Sequence, residues 1–244
     1  MRKLLQVHSD FVSSSRLDHG GEQRLKPVPK RFFHLIQSHS HFVNKATNKP
    51  SGVLDDKLLL YCVSFSSSDF CELTVDPNTV NRNLKLSDNN RKVTAVTEKQ
   101  PYPDHPDRFD AYYQLLCTEG LTDRCYWEVE WRGTVHISVS YRGIRRKGNS
   151  TDCWFGGYNQ SWCLRCFDDG RYSVWHNKEE TVLPSSSVSN RVAVYVDCPA
   201  GTLSFYRVSS DTLIHLHTFN TRFTEPLYAG FRLGPGSSVS LCSV

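Results

Sequence analysis

The chain has 244 residues, 29 Lys and Arg against 25 Asp and Glu, and a hydrophobic content of 39%, which suits one large globular domain with an appendage. Residues 1–69 carry ten of the basic and six of the acidic residues, so residues 70–244 hold 19 of each and are formally neutral. Because phosphate contacts supply most of the affinity for nucleic acids, this neutral part is expected not to bind them.

The nine cysteines are scattered and show no spacing typical of a disulfide framework. Six of them lie in or beside apolar runs, where a free cysteine packs as a small hydrophobic residue: Cys117, Cys125, Cys163, Cys166, Cys198 and Cys242. This usage predicts a reducing, cytoplasmic compartment.

The first 69 residues lack sustained strand or helix periodicity, so we predict a poorly ordered N-terminal extension. Met1–His8 has only two adjacent leucines and does not resemble a signal peptide. Leu58–Phe65 is too short to span a bilayer, so no membrane attachment is expected. The histidines of His34–His41 have no acidic or cysteine partners at ligand spacing, which favours a polar stretch over a metal cluster.

From residue 70 onwards, short alternating apolar runs are separated by turn residues, which is typical of an all-β protein. In Trp127–Trp131 the apolar residues fall on one face and the two glutamates on the other. Val135–Tyr141 repeats this pattern, and the almost continuously apolar Arg191–Asp197 indicates a strand covered on both faces. Asp168–Gly170 suits a hairpin turn better than a calcium loop, because it lacks regularly spaced oxygen ligands. These runs predict a two-sheet antiparallel β-sandwich.

Four segments of this region resemble a known family. Leu73–Thr79 with Leu84–Thr94 resembles the PRY segment, Glu119–Trp131 the opening SPRY strand, and Asp197–Val208 the later SPRY motif. Pro226–Phe231 resembles the closing strand. The resemblance covers about 70–244 and implies a PRY–SPRY domain, a sandwich of the concanavalin-like jelly-roll type.

Finer motifs are similar to one branch of that family. Tyr102–Phe109 and Cys153–Asn159 resemble the SPRY domains of teleost NACHT/leucine-rich-repeat receptors and of stonustoxin-like proteins. Asp18–Pro27 resembles the linker before the PRY segment in those receptors, but Phe70–Thr74, which resembles the strand that should follow, begins about forty residues later. We therefore interpret about 30–68 as an insertion.

Two features could suggest chemistry. Cys163 and Cys166 form a CxxC pair, but residues three apart on a strand face opposite sides, so one metal could not bind both sulfurs there. The basic run Arg142–Lys147 suits a solvated loop or one that steers an acidic partner. We predict no enzymatic activity and no cofactor.

The resemblance implies recognition of a protein or peptide through loops at one end of the sandwich. By position in the motifs, the contact residues would be Arg142, Arg165, Phe167, Leu233 and Pro235, since aromatic and arginine side chains carry much interface energy. We expect this recognition to serve cytosolic innate immune sensing. The alternative is a secreted, membrane-acting toxin component of the stonustoxin type. The aromatic residues of the signature strands are interpreted as structural: Trp127, Trp131, Trp162, Phe205 and Tyr206.

Overall fold

The computed structural model describes residues 69–184, 189–210 and 212–243. Within these ranges the regular structure is almost entirely strand, with a short 3-10 turn at Thr151–Cys153. The strands are β1 (Leu84–Ser87), β2 (Lys92–Ala95), β3 (Gln114–Leu121), β4 (Arg124–Arg132), β5 (Val135–Tyr141), β6 (Ser161–Cys166), β7 (Tyr172–His176), β8 (Glu179–Val182), β9 (Arg191–Asp197), β10 (Thr202–Ser209), β11 (Thr212–Asn220), β12 (Leu227–Leu233) and β13 (Ser238–Leu241).

The strands pair into two antiparallel sheets. The seven-stranded sheet has the order β1-β2-β13-β4-β9-β10-β11, and the six-stranded sheet has the order β3-β12-β5-β6-β7-β8. Both contribute side chains to one large apolar core, as expected where two sheets pack face to face. The prediction of an all-β, two-sheet antiparallel sandwich is confirmed.

Alternation along the strands decides which side chains enter this core. Trp127, Val129 and Trp131 of β4 point into it as predicted. Burying a large apolar side chain stabilises the folded state by about 1.5–3 kcal/mol. Trp162 and Phe205 lie in the same core. Tyr206 is buried in a second cluster, so all five aromatic residues interpreted as structural are buried.

The opposite face of β4 holds a buried charge. Glu128 faces away from the main core, as the alternation predicted, but it is only 1% exposed. The Tyr126 hydroxyl donates to its Oε1 at 2.6 Å, and the Arg191 Nε donates to its Oε2 at 2.5 Å. A buried carboxylate is tolerated only when it is paired and hydrogen-bonded in this way.

The β6–β7 connection is the predicted hairpin. Gly170 has a φ of 84° and donates its N–H to the Phe167 carbonyl, a turn geometry that favours glycine. The Asp169 carboxylate accepts a hydrogen bond from the Arg171 Nε at 2.7 Å, so it is paired within the turn itself.

One expectation about the cysteines is wrong. The structure joins Cys71 to Cys125 in a disulfide, so Cys125 is not a free buried thiol. Spacing could not reveal this pair, because its members lie 54 residues apart on different segments. Cys117, Cys163 and Cys166 are free and buried, as expected.

The predicted extension and the insertion at about 30–68 lie outside the described residues. The description begins at Asp69, and Phe70 bridges to Tyr126 of β4 with its ring centroid 5.3 Å from that of the tyrosine. Across the described ranges, no helix is long and apolar enough to cross a bilayer.

Candidate functional site

The outer face of the six-stranded sheet carries a row of polar side chains. Arg232 of β12 pairs with His136 of β5, His136 with Arg165 of β6, and Arg165 with Ser173 of β7. Each alternates along its strand with core residues, so the row faces away from the core. Because β12 and β6 flank β5, the two arginine backbones lie about 10 Å apart with one histidine between them.

The central histidine is uncharged. His136 is buried, and its pKa is held well below the usual value of 6.5 by burial first and then by Arg232 and Arg165. Its Nδ1 lies 3.4 Å from the sulfur of Cys163. Burial raises the pKa of the Cys163 thiol to about 12, opposite to the shift that an activated cysteine requires. This contact therefore joins a neutral thiol to a neutral imidazole.

Phe167 is flanked by two arginines just after β6. The guanidinium of Arg165 lies 4.4 Å from the centre of its ring and that of Arg171 lies 4.8 Å from it, both within cation–π range. Arg165 and Phe167, two of the predicted contact residues, therefore lie side by side.

A second set of aromatic rings surrounds Arg232. Its guanidinium lies 4.6 Å from the ring centre of Tyr112 and 5.6 Å from that of Trp154. Trp154 in turn contacts Trp175 of β7 edge to face, at 5.5 Å between ring centres. We call these two sets together the arginine–aromatic face: Tyr112, Trp154, Arg165, Phe167, Arg171, Trp175 and Arg232.

Arg142 is not part of this face, so the predicted convergence of all five residues is wrong. Val135 pairs with Cys166 and Leu233 at one end of β5, whereas Tyr141 pairs with Leu227 at the other. Arg142 follows Tyr141, about 23 Å along the strand from Val135.

The surroundings of Arg142 explain its role. Its Nη2 lies 2.9 Å from carboxylate oxygens of both Asp76 and Asp107, and its guanidinium lies 5.3 Å from the ring centre of Tyr228. It therefore ties the segments holding the two aspartates to the end of β5.

The other two predicted contact residues, Leu233 and Pro235, differ in exposure. Leu233 is only 3% exposed and belongs to the main core, so its assignment as a contact residue is wrong. Pro235 is exposed in the β12–β13 turn, at the same end of the sheet as Phe167. Whether Arg165, Phe167 and Pro235 contact a partner remains a prediction.

The basic run Arg142–Lys147 is anchored rather than merely solvated. Burial lowers the pKa of Arg146 to about 10, its guanidinium lies 4.5 Å from the ring centre of Phe109, and it donates to the Ile144 carbonyl. Ile144 is itself buried. Arg145 alone of the three arginines in this run has a mostly exposed side chain.

The CxxC pair has the geometry predicted for a strand. Cys163 packs in a cluster on the outer face of β6, whereas Cys166 belongs to the main core. Within the described ranges, no three His, Cys, Asp or Glu side chains are grouped as metal ligands. The polar stretch His34–His41 lies outside these ranges.

Comparisons with known proteins agree with this architecture. The SPRY-associated domain, PRY, matches residues 73–121, and the SPRY domain matches residues 124–243. Stonustoxin subunit beta of Synanceia horrida is 42% identical over 165 residues, which is 67% of this chain and 23% of that subunit. Tripartite motif-containing protein 16 of Mus musculus is 37% identical over 190 residues, covering 77% of this chain and 32% of that protein.

Two solved structures share the fold. A stonustoxin structure aligns with a TM-score of 0.68 and 37% identity, covering 72% of this chain and 29% of that one. The crystal structure of the TRIM65 PSpry domain aligns with a TM-score of 0.66 and 28% identity, covering 80% of this chain and all of that domain. The chain thus spans about a quarter to a third of the length of the curated relatives described above. SPRY domains are commonly protein-interaction modules. With both halves matched in order on a two-sheet sandwich, the chain belongs to the PRY–SPRY family.

Proposed function

We propose that this chain is a non-catalytic interaction module that binds an acidic segment of a protein partner on the arginine–aromatic face. The observation that carries the proposal is the pair Arg165 and Arg232, which flank an uncharged histidine and each lie against aromatic rings. Arginine beside aromatic side chains is the composition typical of binding hot spots.

The charge of this row favours an acidic partner. Burial lowers the pKa of Arg232, but an arginine guanidinium stays protonated in folded proteins, so the row carries positive charge. A carboxylate on a partner could accept planar, two-pronged hydrogen bonds from either one. The Cys163–His136 contact gives no support for catalysis, because both groups are neutral.

We further propose cytosolic innate immune sensing as the setting. This rests on the resemblance to NACHT/leucine-rich-repeat receptors and on similarity to tripartite motif proteins. Complete transcripts test it: an upstream NACHT region with leucine-rich repeats supports the receptor setting.

A second candidate is a component of a secreted cytolytic toxin. Two observations favour it, namely the 42% identity to stonustoxin subunit beta and the Cys71–Cys125 disulfide, which suits an oxidising compartment. A transcript that encodes a toxin-type pore-forming region would support this candidate and exclude the receptor setting.

Binding is tested with the full 244-residue chain and an unbiased peptide library. We expect the selected peptides to be enriched in Asp and Glu. Arg232→Gln should weaken the best peptide at least tenfold, or about 1.4 kcal/mol. The matched control is Arg222→Gln, an exposed arginine before the other end of β12, which should bind like the parent. Selection of neutral or basic peptides, or unchanged binding by Arg232→Gln, would overturn the proposal.

A further inference from the structure

A cavity of about 450 Å³ lies in the PRY half of the domain, apart from the arginine–aromatic face. Its walls come from the residues just before β1, from the segment 99–110, and from Lys147 in the β5–β6 connection. None of its lining residues belongs to the arginine–aromatic face, so what it binds is independent of the function proposed above.

The walls of the cavity are fixed by buried and partly buried hydrogen bonds. The Arg108 guanidinium donates to the carbonyls of Pro77, Val80 and Pro103, and it lies 5.2 Å from the ring centre of Tyr102. The Asn81 side-chain amide donates to the carbonyls of the two residues that follow Arg108. A ligand would therefore meet a preformed site rather than a loop that it must order.

Positive charge exceeds negative charge in this cavity. Its lining contains four basic residues, Arg82, Lys99, Arg108 and Lys147, against two acidic ones, Asp104 and Asp110. The pKa of Arg108 is lowered by burial and by the neighbouring charge of Arg82. These guanidiniums repel one another across the site, and a bound anion would relieve that repulsion.

One carboxylate of the lining, that of Asp104, lies near three of these cations. Asp104 is held by Arg82, whose Nη2 lies 2.6 Å from its Oδ1, and its side chain is otherwise fully exposed. Its pKa is lowered mainly by Arg82, with smaller effects from Arg108 and Lys147. An acidic ligand group that bound Arg82 would therefore compete with Asp104 for this guanidinium.

We propose that this cavity binds the phosphate group of a phosphate-bearing ligand, in competition with Asp104. A phosphate monoester carries nearly two negative charges at pH 7, which matches the excess of two positive charges in the lining. The cavity exceeds the size of a phosphate alone and falls in the range of small-molecule sites, so it has room for the group that bears the phosphate.

The test titrates the full chain at constant ionic strength with inorganic phosphate, ribose 5-phosphate, and a phosphoserine peptide beside its unphosphorylated form. Constant ionic strength separates binding from general screening. Tighter binding of ribose 5-phosphate identifies a small-molecule ligand, and tighter binding of the phosphopeptide identifies a modified protein. Lys147→Ala and Lys99→Ala should each weaken binding about tenfold, whereas Lys85→Ala, an exposed lysine of β1, should not.

Asp104→Asn distinguishes binding from a merely structural role. Loss of the competing carboxylate should tighten phosphate binding about threefold or more, while Asp88→Asn, a change at an exposed turn, should leave it unchanged. If the exposed Arg82–Asp104 pair is only structural, Asp104→Asn will not increase affinity. That result, or phosphate binding that neither Lys147→Ala nor Lys99→Ala weakens, would overturn the proposal.

Discussion

The carboxylate of Glu128 and the guanidinium of Arg191 form an ion pair on the outer face of β4 and β9, with 2.5 Å between Oε2 and Nε. The glutamate side chain is 1% exposed and that of the arginine 26%. Arg191→Ala would remove one charged partner of this buried carboxylate, so we expect a loss of about 2–4 kcal/mol in the free energy of unfolding.

Glu130→Ala is the matched control for that prediction. Glu130 lies 3.3 Å from the same arginine but is 54% exposed, so its loss should cost less than about 1 kcal/mol. Urea unfolding of the parent and both variants measures the difference. Equal effects would show that burial of Glu128 is not what makes the pair matter.

The neutral His136 predicts a dependence of stability on pH. Its pKa in the folded chain lies well below 6.5, whereas the unfolded chain binds a proton near that value. As pH falls below about 6.5, the unfolded state alone takes up the proton, so stability falls by up to about 1.4 kcal/mol per pH unit.

Comparison with His136→Gln isolates this effect. The pKa values of His215 and His217 are also lowered, mainly by burial, but they contribute equally to both proteins. Urea unfolding between pH 7.5 and 5.5 measures the free energy of unfolding of both proteins. For the variant this free energy should fall less steeply as the pH decreases, with a difference in slope of up to about 1.4 kcal/mol per pH unit. Parallel slopes for parent and variant would contradict a neutral buried imidazole.

Phe167 should contribute to binding more than to folding. Because its ring is half-buried and lies between two exposed or partly exposed arginines, Phe167→Ala should keep its melting temperature and weaken a selected acidic peptide at least tenfold, about 1.4 kcal/mol. Arg165→Ala should likewise keep its melting temperature and weaken binding of the peptide. Phe167→Leu retains apolar bulk without the π face and should fall between parent and alanine. Loss of folding in both alanine variants would instead identify these residues as structural.

Gly230 makes room for the loop that carries Trp154. A Cβ atom at this position would lie 2.7 Å from the Phe155 ring and 3.1 Å from the Leu115 carbonyl oxygen. We expect Gly230→Ala to cost about 1–3 kcal/mol through overpacking. Gly143→Ala, where the nearest atom is 3.8 Å away, is the control and should be nearly neutral in thermal unfolding.

The domain boundary also remains a prediction. Every described strand begins at Leu84 or later, and a chain of about 175 residues can bury about 70% of its unfolded surface. Residues 70–244 alone should therefore unfold cooperatively with a β-type circular dichroism spectrum. An insoluble or molten product, beside a full chain that folds, would place the boundary earlier.

Local patterns in the sequence predicted much of the fold, because alternation and turn residues act over a few positions. They placed Trp127 and Trp131 in the core and the hairpin at Asp168–Gly170. They could not show that Arg142 lies far from Phe167, since this depends on the pairing of β5 with β6 and β12.

The candidate site was foreseen only where it is local in sequence. Arg165 and Phe167 share a face because they are two residues apart where β6 runs extended into its turn. Arg232, Tyr112 and Trp154 join them only through strand pairing and the path of a long loop. The one signal available was the position of Arg232 between two apolar residues of β12.

The outer row of the six-stranded sheet has a consequence for how such a surface can diversify. Arg165 and Arg232 each lie between two core residues of their own strand. A substitution at either position changes the surface and leaves the core composition intact. A single-residue insertion or deletion within β6 or β12 would exchange the two faces and bury the arginines. Recognition can therefore change here through point substitutions, while changes of length are confined to the turns.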